Sequence, residues 1–155
     1  MAKRTTRTPT QPYKVPGSYA ERDLLVIVYR EYQYRKAVYD KILGNSAKSR
    51  NWGIKVNKFV AVFNKMEAFV DKAERLDIVG NGSNWKQKDG IDDVLKYVSQ
   101  EVRNREKFYP DFISRGIMTY EEAYKKTQGM KAVFNFLLKV KASQGVQSSL
   151  QLPDD

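Results

Sequence analysis

The sequence predicts an all-α protein: an antiparallel bundle of about four helices, arranged as two helical hairpins. A disordered basic N-terminal arm and a polar C-terminal tail flank it. Three observations lead there. Apolar residues recur at helical spacing in four separate stretches. Two Ser/Thr-x-x-Glu signatures, Ser18 to Glu21 and Thr119 to Glu122, mark helix starts. Breaks containing Gly or Pro separate the stretches, and no alternating strand pattern competes with them.

The elements follow in order. Residues 1–17 hold three prolines and four basic residues with no acid, and are expected to form a flexible arm. Ser18 caps a helix from about Tyr19 to about Leu43, lined by Leu24, Ile27, Val28, Tyr34, Val38 and Ile42. Gly44-Asn45-Ser46 stops it, and the polar stretch from Ala47 to Gly53 reads as a connection. A second helix spans about Ile54 to Val79, with Val56, Phe59, Phe63, Met66 and Val70 on its apolar face. The glycines and polar residues from Gly80 to Gly90 form the next connection. A third helix runs from about Ile91 to Tyr109 and ends or bends at Pro110. Thr119 caps the fourth, which carries Met130, Phe134, Leu137 and Leu138 inward. The bundle domain is then 18–142, and residues 143–155 are expected to be a disordered tail.

Composition narrows the chemistry. The chain has 155 residues, enough for one domain with a real core. It contains neither Cys nor His, which excludes disulfides, a Cys nucleophile, a Ser-His dyad and the usual zinc ligands. No spaced Asp cluster resembles a calcium loop, and no carboxylate pair is set up for acid–base work. The expectation is a protein that is not an enzyme and carries no metal or cofactor. No apolar run reaches a membrane span or a secretory signal, so a cytoplasmic location is expected.

Charge points to the partner. The net charge is +10, and residues 1–60 alone hold 13 Lys or Arg against 4 Asp or Glu. A positive half joined to a balanced half suggests a surface directed at a polyanion. The phosphate-binding candidates are Lys3, Arg4, Arg7 and Lys14 on the arm, Arg30, Arg35 and Lys36 on the first helix, Lys48 and Arg50 beyond it, and Arg105. Tyr29, Tyr32 and Tyr39 interleave with these cations and share a broad face on which bases could stack, whereas Tyr34 points elsewhere. A helix–helix seam or subunit interface would use the same tyrosines. Trp52 and Trp85 fall in or beside connections, as end plugs or stacking platforms. The Gly80-x-Gly82 loop with Lys86 lacks the Gly-Lys-Ser/Thr ending of a P-loop and reads as a connection.

The two hairpins look related. Glu31, Arg35, Tyr39 and Leu43, followed by Met66, Ala68 and Phe69, match Glu101, Arg105, Tyr109 and Ile113, followed by Met130, Ala132 and Val133. Two roles suit Arg35 and Arg105: bidentate phosphate ligands, or bridges between neighbouring helices.

The stretch from Glu101 to Val133 carries Glu101, Arg105, Tyr109, Pro110, Gly116, Thr119, Ala123, Met130 and Ala132. It resembles a helical hairpin found in many small phage-encoded proteins, with the pattern Glu-x3-Arg-x3-Tyr-Pro, a Gly, a Ser or Thr cap, an Ala, and Met-x-Ala. The resemblance implies a phage origin, with the host cytoplasm as location, and covers about a fifth of the chain. Some phage helical-hairpin proteins sequester cyclic nucleotide signals of host defence; no ligand-binding motif of theirs is matched here.

Three functions are therefore expected to compete. The first is a phage-type accessory protein that binds nucleic acid, DNA or RNA, through its basic, Tyr-rich N-terminal half. The second is an anti-defence protein that sequesters a nucleotide. The third is a virion or assembly protein. A homo-oligomer fits each of them.

Overall fold

The computed structural model describes residues 7–70 and 89–151, with side chains as far as Gln144. The described residues form four helices: α1 (Glu21–Lys41), α2 (Ser46–Glu67), α3 (Ile91–Ser114) and α4 (Tyr120–Gln151). This is the all-α bundle of two hairpins that the periodicity predicts. Within each hairpin the helices run antiparallel. Tyr29 meets Phe63 while Tyr34 meets Trp52 in the first, and Lys141 pairs with Asp92 while Arg105 bonds Lys126 in the second. The hairpins interlock: α1 also packs on α4, and α2 on α3.

The core follows the apolar stripes. Leu25 and Val28 of α1, Phe59, Val62 and Met66 of α2, Val94, Val98 and Val102 of α3, and Met130, Phe134 and Leu137 of α4 are fully enclosed. Gly129 lets α4 approach α1 closely, since a Cβ there would lie 2.9 Å from Ile27 Cδ1.

Several boundaries differ from the sequence reading, each for a physical reason. Helix α1 starts at Glu21 behind Ala20, which makes no side-chain cap bond, so the Ser18 capping box is not formed. The acidic Glu21 and Asp23 in the first turn suit the helix dipole without it. Helix α2 starts eight residues before Ile54, because the Asn45 side chain accepts from Lys48 N–H at 3.0 Å and caps the chain at Ser46. The stretch from Ala47 to Gly53 is thus helix, not a connection. At its other end α2 stops at Glu67, and residues 71–88, including the Gly80 loop and Trp85, lie outside the described residues. Helix α3 continues past Pro110 to Ser114. The Thr119 box does form: Thr119 Oγ1 accepts from Glu122 N–H at 3.0 Å, and the Glu122 carboxylate accepts from Thr119 N–H. Helix α4 runs to Gln151 instead of ending near 142, since no proline interrupts it before Pro153.

The N-terminal segment is not free over its described part. From Arg7 to Ala20 it forms no helix, yet the Tyr13 backbone N–H donates to Asn135 Oδ1 at 2.8 Å and its carbonyl accepts from Asn135 Nδ2 at 2.9 Å. The Tyr13 ring stands edge-on to Phe134, and Val15 and Tyr19 also pack against the core. The arm expected over 1–17 is therefore docked on α4 at Tyr13.

Candidate functional site

Between the two hairpins, two Glu–Arg pairs form one closed quartet. Arg35 Nε donates to Glu31 Oε2 at 2.8 Å, one helical turn away, and Arg35 Nη2 reaches Glu101 Oε1 at 2.7 Å. The second hairpin repeats this bond for bond. Arg105 Nε donates to Glu101 Oε2 and Arg105 Nη2 to Glu31 Oε1, both at 2.8 Å. Each guanidinium also donates through Nη1 to a backbone carbonyl of its partner helix, Arg35 to Lys55 and Arg105 to Lys126, both at 2.8 Å. Every carboxylate oxygen of the quartet accepts one of these bonds, and the charges cancel. The Arg35 guanidinium also lies 4.1 Å over the Phe59 ring. Burial acts to lower the Arg105 pKa, but the adjoining Glu101 and Glu31 carboxylates outweigh it and hold it above its usual value.

The quartet fixes the register of the repeat. Glu31, Arg35 and Tyr39 do match Glu101, Arg105 and Tyr109. In the second helices, however, Lys55 matches Lys126, which sets Phe59 against Met130 and Met66 against Leu137. The pairing of Met66 with Met130 is thus seven residues out. Seven residues are nearly two helical turns, so the apolar pattern reads almost the same in either register.

Above the quartet lies a cleft of 690 Å³ between α1, α2, α3 and the turn into α4. Its free charges are Arg30, Lys55, Lys58 and Lys126. Among the described lining residues the carboxylates are Glu31 and Glu101, both spent on the buried arginines. Its rings include Tyr34, Trp52, Tyr97, Phe108, Tyr109 and Phe112. Tyr34 is 59 % exposed and meets Trp52 edge-on, with centroids 6.3 Å apart. Lys55 Nζ lies 4.3 Å from the Trp52 ring and Lys58 Nζ 5.4 Å from that of Tyr97. Burial, with the Asp89 and Asp93 carboxylates nearby, raises the Tyr97 pKa. A cleft with four cations, several rings and no unspent acid among its lining residues can take an anion that carries flat apolar faces.

The structure divides the sequence-derived candidates. Arg30 lines this cleft. Arg35 and Arg105 line its floor, each with Nε, Nη1 and Nη2 bonded within the bundle, which matches the helix-bridging role. Lys36 pairs with Asp40 at 2.9 Å away from the cleft, and Arg7, Lys14, Lys48 and Arg50 are exposed elsewhere. Lys3 and Arg4 fall outside the described residues. Tyr29 and Tyr32 pack against each other and the core, Tyr29 also meeting Phe63. Tyr39 lies against Gly53. The tyrosine of α1 that reaches the cleft is Tyr34, the one the helical wheel set aside.

Lys55, Lys58, Tyr97 and Lys126 were not singled out by the sequence. The signal that could have found two of them is Trp52, Lys55 and Lys58 at intervals of three, which fall on one face once α2 starts at Ser46. Among the described residues no group of three or more acidic side chains could hold a metal ion, and no helix is long and apolar enough to cross a membrane. No protein-family model, curated protein or solved structure matches this chain.

Proposed function

We propose that this protein is a non-enzymatic binder of nucleic acid that takes single-stranded segments into the cleft above the quartet, as an accessory protein of the kind the phage hairpin resemblance implies. One observation carries the reading. Arg30, Lys55, Lys58 and Lys126 stand among aromatic rings in a cleft whose two carboxylates are already neutralised. Phosphates would pair with the cations and bases would stack on the rings. Arg35 and Arg105 support the floor and take no phosphate.

The test is fluorescence anisotropy with a labelled single-stranded oligonucleotide, DNA and RNA in turn, across a salt series. The affinity should fall with salt by a log–log slope of about −0.7 per phosphate neutralised. Arg30→Gln should flatten the slope by about one such contact, and Tyr34→Ala should weaken binding at an unchanged slope, because stacking releases no counterions. Tyr32→Ala should change neither. Absence of binding at low salt contradicts the proposal.

The size of the cleft favours a second reading. Its 690 Å³ falls within the range of small-molecule sites, roughly 300–1,000 Å³. A protein that sequesters a free nucleotide would show that small anion in native mass spectra and would not gain affinity for longer strands.

A further inference from the structure

The quartet's bonds set a residue-by-residue correspondence between the hairpins, and the cleft departs from it in one direction. Along α2 the cleft wall presents Trp52, Lys55 and Lys58; their counterparts on α4 are Ala123, Lys126 and Gly129. Trp52 is backed by Tyr34, whose counterpart is Asn104. Lys58 lies beside Tyr97, while the counterpart of that pair, Gly129 with Ile27, is closed by direct packing. The α2 side of the cleft therefore has an aromatic group at each end, Trp52 and, from α3, Tyr97, with two ammonium groups between them. The α4 wall has a single lysine.

The spacing has a chemical meaning. Trp52 and Lys58 are six residues apart, about 9 Å along a helix, and side chains three apart, such as Lys55 and Lys58, are neighbours about 5–6 Å apart at Cβ. Two bases joined by one phosphodiester have the same order of parts: ring, anion, ring. We propose that the α2 wall is a dinucleotide-step site: one base stacks on Trp52 with Tyr34 edge-on beside it, the next on Tyr97, and the linking phosphate is held by Lys55 and Lys58. This rests on the reading that the cleft takes nucleic acid. The two lysines lie against the rings that the bases would use. Exposed cation–π contacts are weak and lysine stems are flexible, so both ammonium groups can turn to the phosphate as the bases arrive.

The experiment titrates thymidine mono-, di-, tetra- and octanucleotides into full-length protein carrying Trp85→Phe, which leaves Trp52 as the only tryptophan. Quenching of Trp52 fluorescence reads the binding. The dinucleotide should bind about tenfold more tightly than the mononucleotide, the size of one added stacking and phosphate contact, and each further nucleotide should add about threefold or less. Lys55→Ala with Lys58→Ala should abolish the step from one to two nucleotides, whereas Lys126→Ala should weaken the mono- and dinucleotide by the same factor and so leave the step unchanged. A smooth rise with length, or equal losses from Lys126→Ala and Lys58→Ala, overturns the dinucleotide site while leaving a nucleic-acid cleft standing. No binding at any length overturns both.

Discussion

At the scale of the residue, the quartet is where sequence and structure meet most closely. Removing two charged pairs from water costs several kcal/mol per ion, and close mutual hydrogen bonding offsets that cost only when every partner is present. Arg35→Met leaves Glu31 and Glu101 with one guanidinium, and should destabilise the protein by about 3–5 kcal/mol in urea unfolding. Replacing all four members by Met should cost less than Arg35→Met alone, because no charge is then stranded. A cost for the fourfold replacement equal to the sum of the four single costs would mean that the four groups do not act as a unit. The phenols give a second prediction. Burial raises the pKa of Tyr13 and of Tyr109 above the ordinary 10.0. An unfolded chain then ionises them first, so their contribution is complete below about pH 10 and is lost as pH rises through their folded values. Unfolding midpoints measured from about pH 9 to 11 should fall, and Tyr109→Phe should reduce that fall.

At the scale of the element, caps and close contacts decide what periodicity leaves open. Ser18-x-x-Glu21 and Thr119-x-x-Glu122 are alike in sequence, but only the second becomes a box. Thr119→Ala should therefore cost about 1 kcal/mol, and Ser18→Ala close to nothing, by the shift in urea midpoint. The reason lies outside the motif: the residues before α1 are drawn toward α4 by Tyr13 and Asn135. Asn45 works in the opposite sense, as a cap hidden in what reads as a helix stop, and it adds two turns that carry Trp52. At Gly129, Ala gains about 1 kcal/mol of helix propensity but meets the mobile end of Ile27, so the two effects should nearly cancel. Gly129→Leu should instead force α1 and α4 apart and cost about 1–3 kcal/mol, and a neutral result would show that the two helices are not closely apposed there.

At the scale of the whole molecule, the four described helices, the hairpin pairing and the Glu–Arg repeat were all legible, because each rests on local periodicity. The cleft was not. It needs Arg30 and Tyr34 from α1, Lys55 from α2 and Tyr97 from α3, and which residues meet depends on how the hairpins cross. The charge excess lies in the first sixty residues, yet charge alone does not separate a buried Arg35 from an exposed Arg30.

The most direct test of the central claim is photo-crosslinking of a bromouracil-substituted single strand to the full-length protein, with the adducts located by peptide mass spectrometry. Bases seated in the cleft should couple to Tyr34, Trp52 and Tyr97. Adducts confined to the N-terminal segment around Tyr13 and Tyr19, or to Tyr29 and Tyr32, would place nucleic acid elsewhere and contradict the account.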